Sequence, residues 1–283
     1  MNILHSVADM HCFADDVRRS GRRIGFVPTM GFLHEGHESL MHIARQHADV
    51  LVVSIFVNPT QFGPGEDFTT YPRDFERDSS IIEAVGADCL YYPDVSEMYP
   101  AGYQTTVSVR DVTRNLCGFS RPTHFDGVST VVAKLFNAVK PHCAVFGQKD
   151  FQQLVVIKRM VRDLNMDIDI IGAPIVREAD GIAMSSRNKN LAPEERAAAR
   201  SLSSALDAVC SSMQAGERSA RALIELARGI ISVETLGRID YIKVCDTETL
   251  QDVELLEREA VMAIAVFFEK GRLIDNTVLC VEG

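Results

Sequence analysis

No tryptophan occurs in the 283 residues of the chain, and basic residues are scarce beside acidic ones, 29 Lys and Arg against 39 Asp and Glu. The resulting net charge of -10 argues against a broad nucleic-acid surface, because phosphate neutralisation needs clustered Lys and Arg. An anionic small substrate is still allowed, since a locally basic pocket can sit in an acidic protein. Nowhere do apolar residues run for the roughly 18 positions that a membrane span requires. The longest such stretch near the C-terminus, "AVMAIAVFF" from Ala260 to Phe268, has the length of a strand. The opening "MNILHSVADM" lacks a basic segment followed by an apolar one, so no secretory signal is expected. The seven cysteines are odd in number and none forms a C-x-x-C pair. They read as reduced thiols of a cytoplasmic protein, not as a disulfide framework or zinc ribbon.

What is present is a globular composition, 46% hydrophobic and 24% charged, in a chain long enough for one large or two ordinary domains. Up to about residue 175, β-rich runs alternate with helical patterns. "IGFVPT" (Ile24 to Thr29), "VLVVSIFV" (Val50 to Val57), "CLYYP" (Cys89 to Pro93), "TTVSV" (Thr105 to Val109), "CAVFG" (Cys143 to Gly147) and "IDIIGAPIV" (Ile168 to Val176) read as strands. "HESLMHIARQHA" and "GVSTVVAKLFNAVK" read as helices between them. This alternation predicts βαβ units and a parallel sheet covered on both faces. After residue 176 the pattern changes. A helix over Ala192 to Met213, with Pro193, Glu194 and Glu195 in its first turn, precedes a helix over Ser219 to Val233 and the strand-like "IDYIKVCD" and "AVMAIAVFFE". The expected organisation is therefore a first domain over residues 1–175 and a smaller α+β domain over residues 176–283.

Four stretches bear chemistry. In "TMGFLHEGHESL", His34 and His37 lie between a strand and a helix, where Gly31 and Gly36 permit close backbone approach and the helix N-terminus suits an anion. The two histidines could face a phosphate there, or serve only as solvated or capping residues; no Cys or His cluster completes a zinc site. In "FVNPTQFGPGEDFTTYPRD", Asn58 and Gln61 follow a strand, where amides can read a small polar ligand or build a turn on Asn58–Pro59. The "GPGED" run reads as a flexible loop and a candidate lid. In "FGQKDFQQL", Lys149 could neutralise phosphate, and Asp150 could cap a helix or accept from a ribose hydroxyl. In "IAMSSRNKNL", two hydroxyls precede Arg187, a combination able to grip a triphosphate or to form an ordinary solvated loop.

In this order, the H-x-G-H stretch, the Lys–Asp junction and the Ser-Ser-Arg loop resemble the nucleotidylyltransferase superfamily. The match is closer to one family within it. "PTMGFLHEGH", "VNPTQFGPGED", "YPRD", "RPTHFDGV", "FGQKDFQQ", "PIVRE" and "MSSRN" are similar to the successive signatures of the pantoate–β-alanine ligases. Two positions depart from that pattern: Gln148 where Glu is frequent, and Thr123 where Gly is common.

The resemblance implies a Rossmann-like, doubly wound α/β domain for nucleotide and pantoate over residues 1–175 and a C-terminal α+β lid over residues 176–283. It implies ATP-dependent joining of pantoate and β-alanine through a pantoyl adenylate, in a cytoplasmic homodimer, with ATP and Mg²⁺ and with neither nucleic acid nor membrane as partner. It places ATP on Met30, Gly31, Phe32, Leu33, His34, Glu35, Gly36 and His37. It adds Gly147, Gln148, Lys149 and Asp150, the backbone of Val176, and Met184, Ser185, Ser186 and Arg187. His37 would be the proton donor, with His34, Lys149 and Arg187 beside the phosphates. Gln61 and Gln153 would hold pantoate, Gln61 would also approach β-alanine, and Asn58 would line the same pocket. Asp78 falls near the family's metal position, but the metal ligands stay open. A nucleotidylyltransferase that leaves the nucleotide on its product is the competing enzyme class, and a non-catalytic nucleotide-binding protein is a further alternative.

Overall fold

In a computed structural model, residues 1–66, 68–269 and 271–281 are described. The first half of the chain alternates short strands and helices, in the order β1 (Asn2–Leu4), α1 (Val7–Arg19), β2 (Ile24–Thr29), α2 (Glu35–His47), β3 (Val50–Ile55), α3 (Phe75–Ala84), β4 (Cys89–Tyr91), α4 (Val95–Met98) and α5 (Leu116–Ser120). It continues through α6 (His124–Val139), β5 (Cys143–Gly147), α7 (Phe151–Asp163) and β6 (Asp169–Ala173). The rest holds α8 (Pro193–Gln214), α9 (Ala220–Ile231), β7 (Arg238–Asp246), β8 (Ala260–Phe268) and β9 (Gly271–Leu279).

The chain divides into two compact units. One comprises Met1–Arg110, Arg121–Gln148 and Val156–Pro174; the other comprises Asp111–Ser120, Lys149–Val155 and Ile175–Gly283. The first unit is built on a parallel sheet of order β1-β4-β3-β2-β5-β6. All six residues of β3 are buried, as expected of a β-branched strand covered on both faces. Its core joins Val27, Leu51, Val53, Ile82 and Leu90 with Leu33 and Met41 of the turn and helix after β2. Each such side chain contributes roughly 1.5–3 kcal/mol on burial. β2 lies between β3 and β5, so the strand order reverses there, and ligands of open α/β sheets bind at the carboxyl ends of strands at such a point.

The second unit is an antiparallel sheet β7-β8-β9. Helices α8 and α9 bury Leu202, Leu206, Val209 and Leu223 with Val244, Met262, Ile264 and Val266 of the strands. Helix α8 starts at Pro193, and the Glu195 carboxylate accepts the Ala192 N–H at 3.0 Å, which closes the first turn.

One expected strand is absent. Residues Thr105 to Val109 form no strand among the described residues; their backbone is anchored where the Val107 N–H donates to Thr130 Oγ1 at 2.9 Å. The β-branched run is there, but the segment joins neither sheet, and strand-like composition without a pairing partner does not make a strand. Conversely, β1 is only three residues long, and β9 mixes Arg272, Asp275 and Asn276 with its apolar positions. Neither offers the apolar run that marked the other strands.

Candidate active site

The turn between β2 and α2 is held by backbone hydrogen bonds to buried side chains. Thr29 Oγ1 donates to the Ser54 carbonyl at 2.8 Å and accepts the Gly31 N–H at 3.2 Å. The next two N–H groups, of Phe32 and Leu33, donate to the two oxygens of Asp78 at 2.6 and 2.8 Å. Gly31 has φ +82°, and a Cβ on it would lie 3.0 Å from Asp78 Oδ2, so the site requires glycine. Phe32 is also left-handed, at φ 52°. Its ring lies 5.2 Å from the Arg77 guanidinium, which also donates to the Leu33 carbonyl at 2.9 Å. Burial pushes the Asp78 carboxyl above its ordinary value, against the Leu33 and Phe32 N–H groups and Arg77, which favour the anion.

His34 is the N-cap of α2 and His37 stands in its first turn. The rings lie 4.1 Å apart, and the His34 N–H donates to His37 Nδ1 at 3.3 Å. A neutral His37 with Nδ1 accepting must carry its proton on Nε2, so the ring offers a donor. Glu35 and Gly36 open the helix, whose first N–H groups and dipole favour an anion.

β5 pairs with β2 through Gly25–Cys143 and Phe26–Ala144, and three residues further along each strand stand Thr29 and Gly147. The histidine turn therefore leaves the sheet beside Gly147 and Gln148. Around Gly147 no heavy atom would meet an added Cβ within 4 Å, so space is open there.

Met30 and Gln61 also converge, with Gln61 Nε2 donating to the Met30 sulfur at 2.9 Å. Gln61 is only 9% exposed and closes a turn after β3. Behind it, Asn58 Nδ2 donates to Gln61 Oε1 at 3.2 Å and to the Gly127 carbonyl at 3.1 Å, while Asn58 Oδ1 accepts from Tyr99 Oη at 2.8 Å and Thr60 Oγ1 at 3.0 Å. Asn58 is 1% exposed and both ends of its amide are engaged by the protein. These bonds set the Gln61 amide from behind. The turn rests on α6, where a Cβ at Gly127 would lie 2.4 Å from the Thr60 carbonyl oxygen. His124 Nδ1 is 2.9 Å from the Gln61 carbonyl oxygen, and Arg121 donates to the same oxygen at 3.2 Å. Arg121 also forks onto Glu66 at 2.7 and 2.6 Å. The candidate lid thus has a tether at Glu66, while its last residue, Asp67, lies outside the described residues.

The remaining candidates belong to the second unit. Lys149 Nζ is 3.8 Å from Asp150, and Asn276 of β9 donates to the Lys149 carbonyl at 2.9 Å. The adjacent glutamines differ in their surroundings. Gln152 donates to the Val112 and Asn115 carbonyls at 2.9 and 2.8 Å, whereas Gln153 is half-buried. Val176 and Met184 meet directly, the Met184 N–H donating to the Val176 carbonyl at 2.9 Å, and Ser185, Ser186 and Arg187 follow in a turn closed by the Asn188 N–H on the Ser185 carbonyl at 3.0 Å.

Sequence reasoning missed three supports: Asp78 as the anchor of the histidine turn, Gly127 under the Asn58 turn, and Asn276 behind Lys149. The "YPRD" and "RPTHFDGV" stretches contained or flanked the first two, but each acts on residues far away in sequence.

The pantoate-beta-alanine ligase family model matches residues 2–278. The chain is 57% identical to the pantothenate synthetase of Geobacter sulfurreducens over 99% of each chain. It is 55% identical to that of Syntrophus aciditrophicus over 98% of this chain and 97% of the relative. Among solved structures, pantothenate synthetase from Thermus thermophilus matches with a TM-score of 0.93 at 43% identity, covering 98% of this chain and 99% of that one. A pantoate-beta-alanine ligase from Francisella tularensis, complexed with beta-gamma ATP and beta-alanine, matches with a TM-score of 0.78 at 32% identity over 98% and 97% of the two chains. With its histidine turn at the reversal of strand order and these matches along its length, the chain belongs to the pantoate-beta-alanine ligase family.

Proposed function

We propose that this pantoate–β-alanine ligase makes its amide in two steps on the groups just described. A pantoate carboxylate oxygen attacks the α-phosphorus of ATP. The new O–P bond forms as the α–β bridge breaks, and the electron pair leaves with pyrophosphate. The β-alanine amine then attacks the acyl carbon, AMP leaves, and the amine proton is lost. Both first reactants are anions, so the first step needs alignment and charge neutralisation more than a strong base.

The carrying observation is His37, whose Nδ1 accepts the His34 N–H and whose proton therefore sits on Nε2, at the start of a helix beside the carboxyl ends of β2 and β5. Such a donor stabilises charge growing on a phosphoryl oxygen. On this reading Met30 to His37, Gly147 to Asp150, Val176 and Met184 to Arg187 hold ATP, with His34, Lys149 and Arg187 adding donors or positive charge. Gln61 and Gln153 hold pantoate by neutral amides, which add no negative charge to an anionic pair.

Mg²⁺ would neutralise phosphate charge. Among the described residues no group of three His, Cys, Asp or Glu side chains is arranged to hold a metal, and both Asp78 oxygens already accept backbone N–H groups. The residues present thus fit an ion held mainly by the nucleotide's phosphates. We further propose a cytoplasmic homodimer and a lid role for residues 176–283. Among the described residues no helix is long and apolar enough to cross a membrane.

Mass analysis after incubation with ATP, Mg²⁺, pantoate and β-alanine tests the reading. Pantothenate, AMP and pyrophosphate in equal amounts are expected. A product that keeps the nucleotide would make the chain a nucleotidylyltransferase of the other kind.

A further inference from the structure

We propose that Glu178, outside all the binding groups named so far, is a positioning residue that sets the Ser185–Arg187 turn. The inference rests on the proposed gripping of ATP by that turn. Residues Val176 to Met184 form a tight hairpin, closed by the Met184 N–H on the Val176 carbonyl at 2.9 Å, the Glu178 N–H on the Ile182 carbonyl at 2.8 Å and a bridge between Arg177 and Ala183. The returning arm runs straight into the turn, so its entry is fixed by backbone bonds that no side-chain substitution removes.

The exit at Asn188 is held differently. Asn188 is 5% exposed, and its Nδ2 donates to Glu178 Oε1 at 2.6 Å and to the Ala183 carbonyl at 3.0 Å. The other Glu178 oxygen accepts from Arg196 on α8, which also pairs with Asp180 at 2.8 Å. One carboxylate therefore ties the residue after Arg187 both to the hairpin and to a long helix. Arg187 itself sits at φ -80° and ψ -18°, the ordinary conformation of the third residue of a type I turn. A charge-assisted bond at the exit holds that geometry where a neutral one is weaker.

The test is Glu178→Gln, which keeps the shape and removes the charge. Asn188→Ala makes the same test should that variant fail to fold, and Asp180→Asn is the control, since it touches Arg196 but not Asn188. Two readouts are taken: tryptic cleavage after Arg187 in the whole protein, and pyrophosphate–ATP exchange with pantoate. Glu178→Gln should speed the cleavage and lower exchange about 10- to 100-fold, the worth of one hydrogen bond to a charged group. The KM for pantoate, and the reaction of preformed pantoyl adenylate with β-alanine, should stay within about two-fold, and Asp180→Asn should match the parent in both readouts. Unchanged cleavage overturns the clasp. Faster cleavage with undiminished exchange, or an equal loss in both half-reactions, overturns its part in positioning. If the parent protein shows no exchange, the adenylate route fails, and the cleavage rate alone then supports or overturns the clasp.

Discussion

Replacing Gly127 by alanine puts a methyl carbon 2.4 Å from the Thr60 carbonyl oxygen and 2.6 Å from the Gln61 nitrogen. Both obstacles are backbone, so neither can swing aside, and the overlap is about 1 Å inside ordinary van der Waals contact. Either α6 or the Asn58–Gln61 turn must move by that amount. Overpacking of this kind costs about 1–3 kcal/mol. The shift also stretches the 3.1 Å bond from Asn58 Nδ2 to the Gly127 carbonyl, and an orphaned buried amide adds about 1–3 kcal/mol. The combined loss of roughly 2–6 kcal/mol corresponds to a fall in melting temperature of at least about 4 °C for a unit of this size. Function should suffer more than stability, because the displaced turn carries Gln61. A misplacement of about 1 Å costs on the order of 10²-fold in a reaction that depends on alignment. The assay pairs thermal unfolding with pyrophosphate–ATP exchange at limiting pantoate. A Gly127→Ala protein with the parent's melting temperature and pantoate dependence would refute the packing argument.

Further expectations follow from individual contacts. His37→Ala should lower the exchange rate roughly 10²- to 10³-fold, the value of one donor to developing charge, with an unchanged circular dichroism spectrum; exchange at the parent rate would remove His37 from the chemistry. The adjacent glutamines should separate. Gln152→Ala, which strands the Val112 and Asn115 carbonyls, should destabilise by about 1–3 kcal/mol in urea unfolding, whereas Gln153→Ala should raise the pantoate KM roughly 10- to 100-fold with little change in stability. The reverse pattern would exchange their roles. His142 Nδ1 accepts the Ile24 N–H at 2.8 Å, and burial, then Arg18 and Arg23, holds the imidazole below its ordinary value of 6.5. The unfolded chain therefore takes up this proton first as pH falls. The contribution is complete above pH 6.5 and is lost as pH drops through the lowered folded value. Urea midpoints should decline less steeply below pH 6.5 in His142→Asn than in the parent; parallel declines would show that another group is responsible.

Legibility followed the range of the interactions. Strands β2, β3 and β5 were readable because they are apolar runs ending at Pro, Asn or Gly, and the histidine turn was readable because a strand, two glycines and a helical pattern adjoin in sequence. Thr105 to Val109 shows the limit of a local pattern: strand chemistry without a pairing strand forms no strand. Asn58 shows another. An amide at a strand end suits a ligand or a buried network equally, and the network partners seen here, Tyr99 and Gly127, lie 41 and 69 residues away. Asp78 drew notice only as a residue near the family's metal position, and its hydrogen bonds to the N–H groups of Phe32 and Leu33, 46 and 45 residues earlier, could not be read from local sequence. The grouping of residues 111–120 and 149–155 with the C-terminal unit is equally non-local, and a single cut along the chain cannot express it.

The central claim is that pantoate's carboxylate, activated by AMP transfer, is the acyl donor. A free carboxylate does not acylate an amine at neutral pH, because its oxide leaving group is too poor; the mixed anhydride removes that obstacle. Its direct test uses pantoate labelled with ¹⁸O in the carboxylate, in the complete reaction with ATP, Mg²⁺ and β-alanine, followed by mass analysis of all three products. The account predicts one labelled oxygen in AMP, none in pyrophosphate and one remaining in the new amide. Label in pyrophosphate, or both oxygens retained in pantothenate, would contradict it.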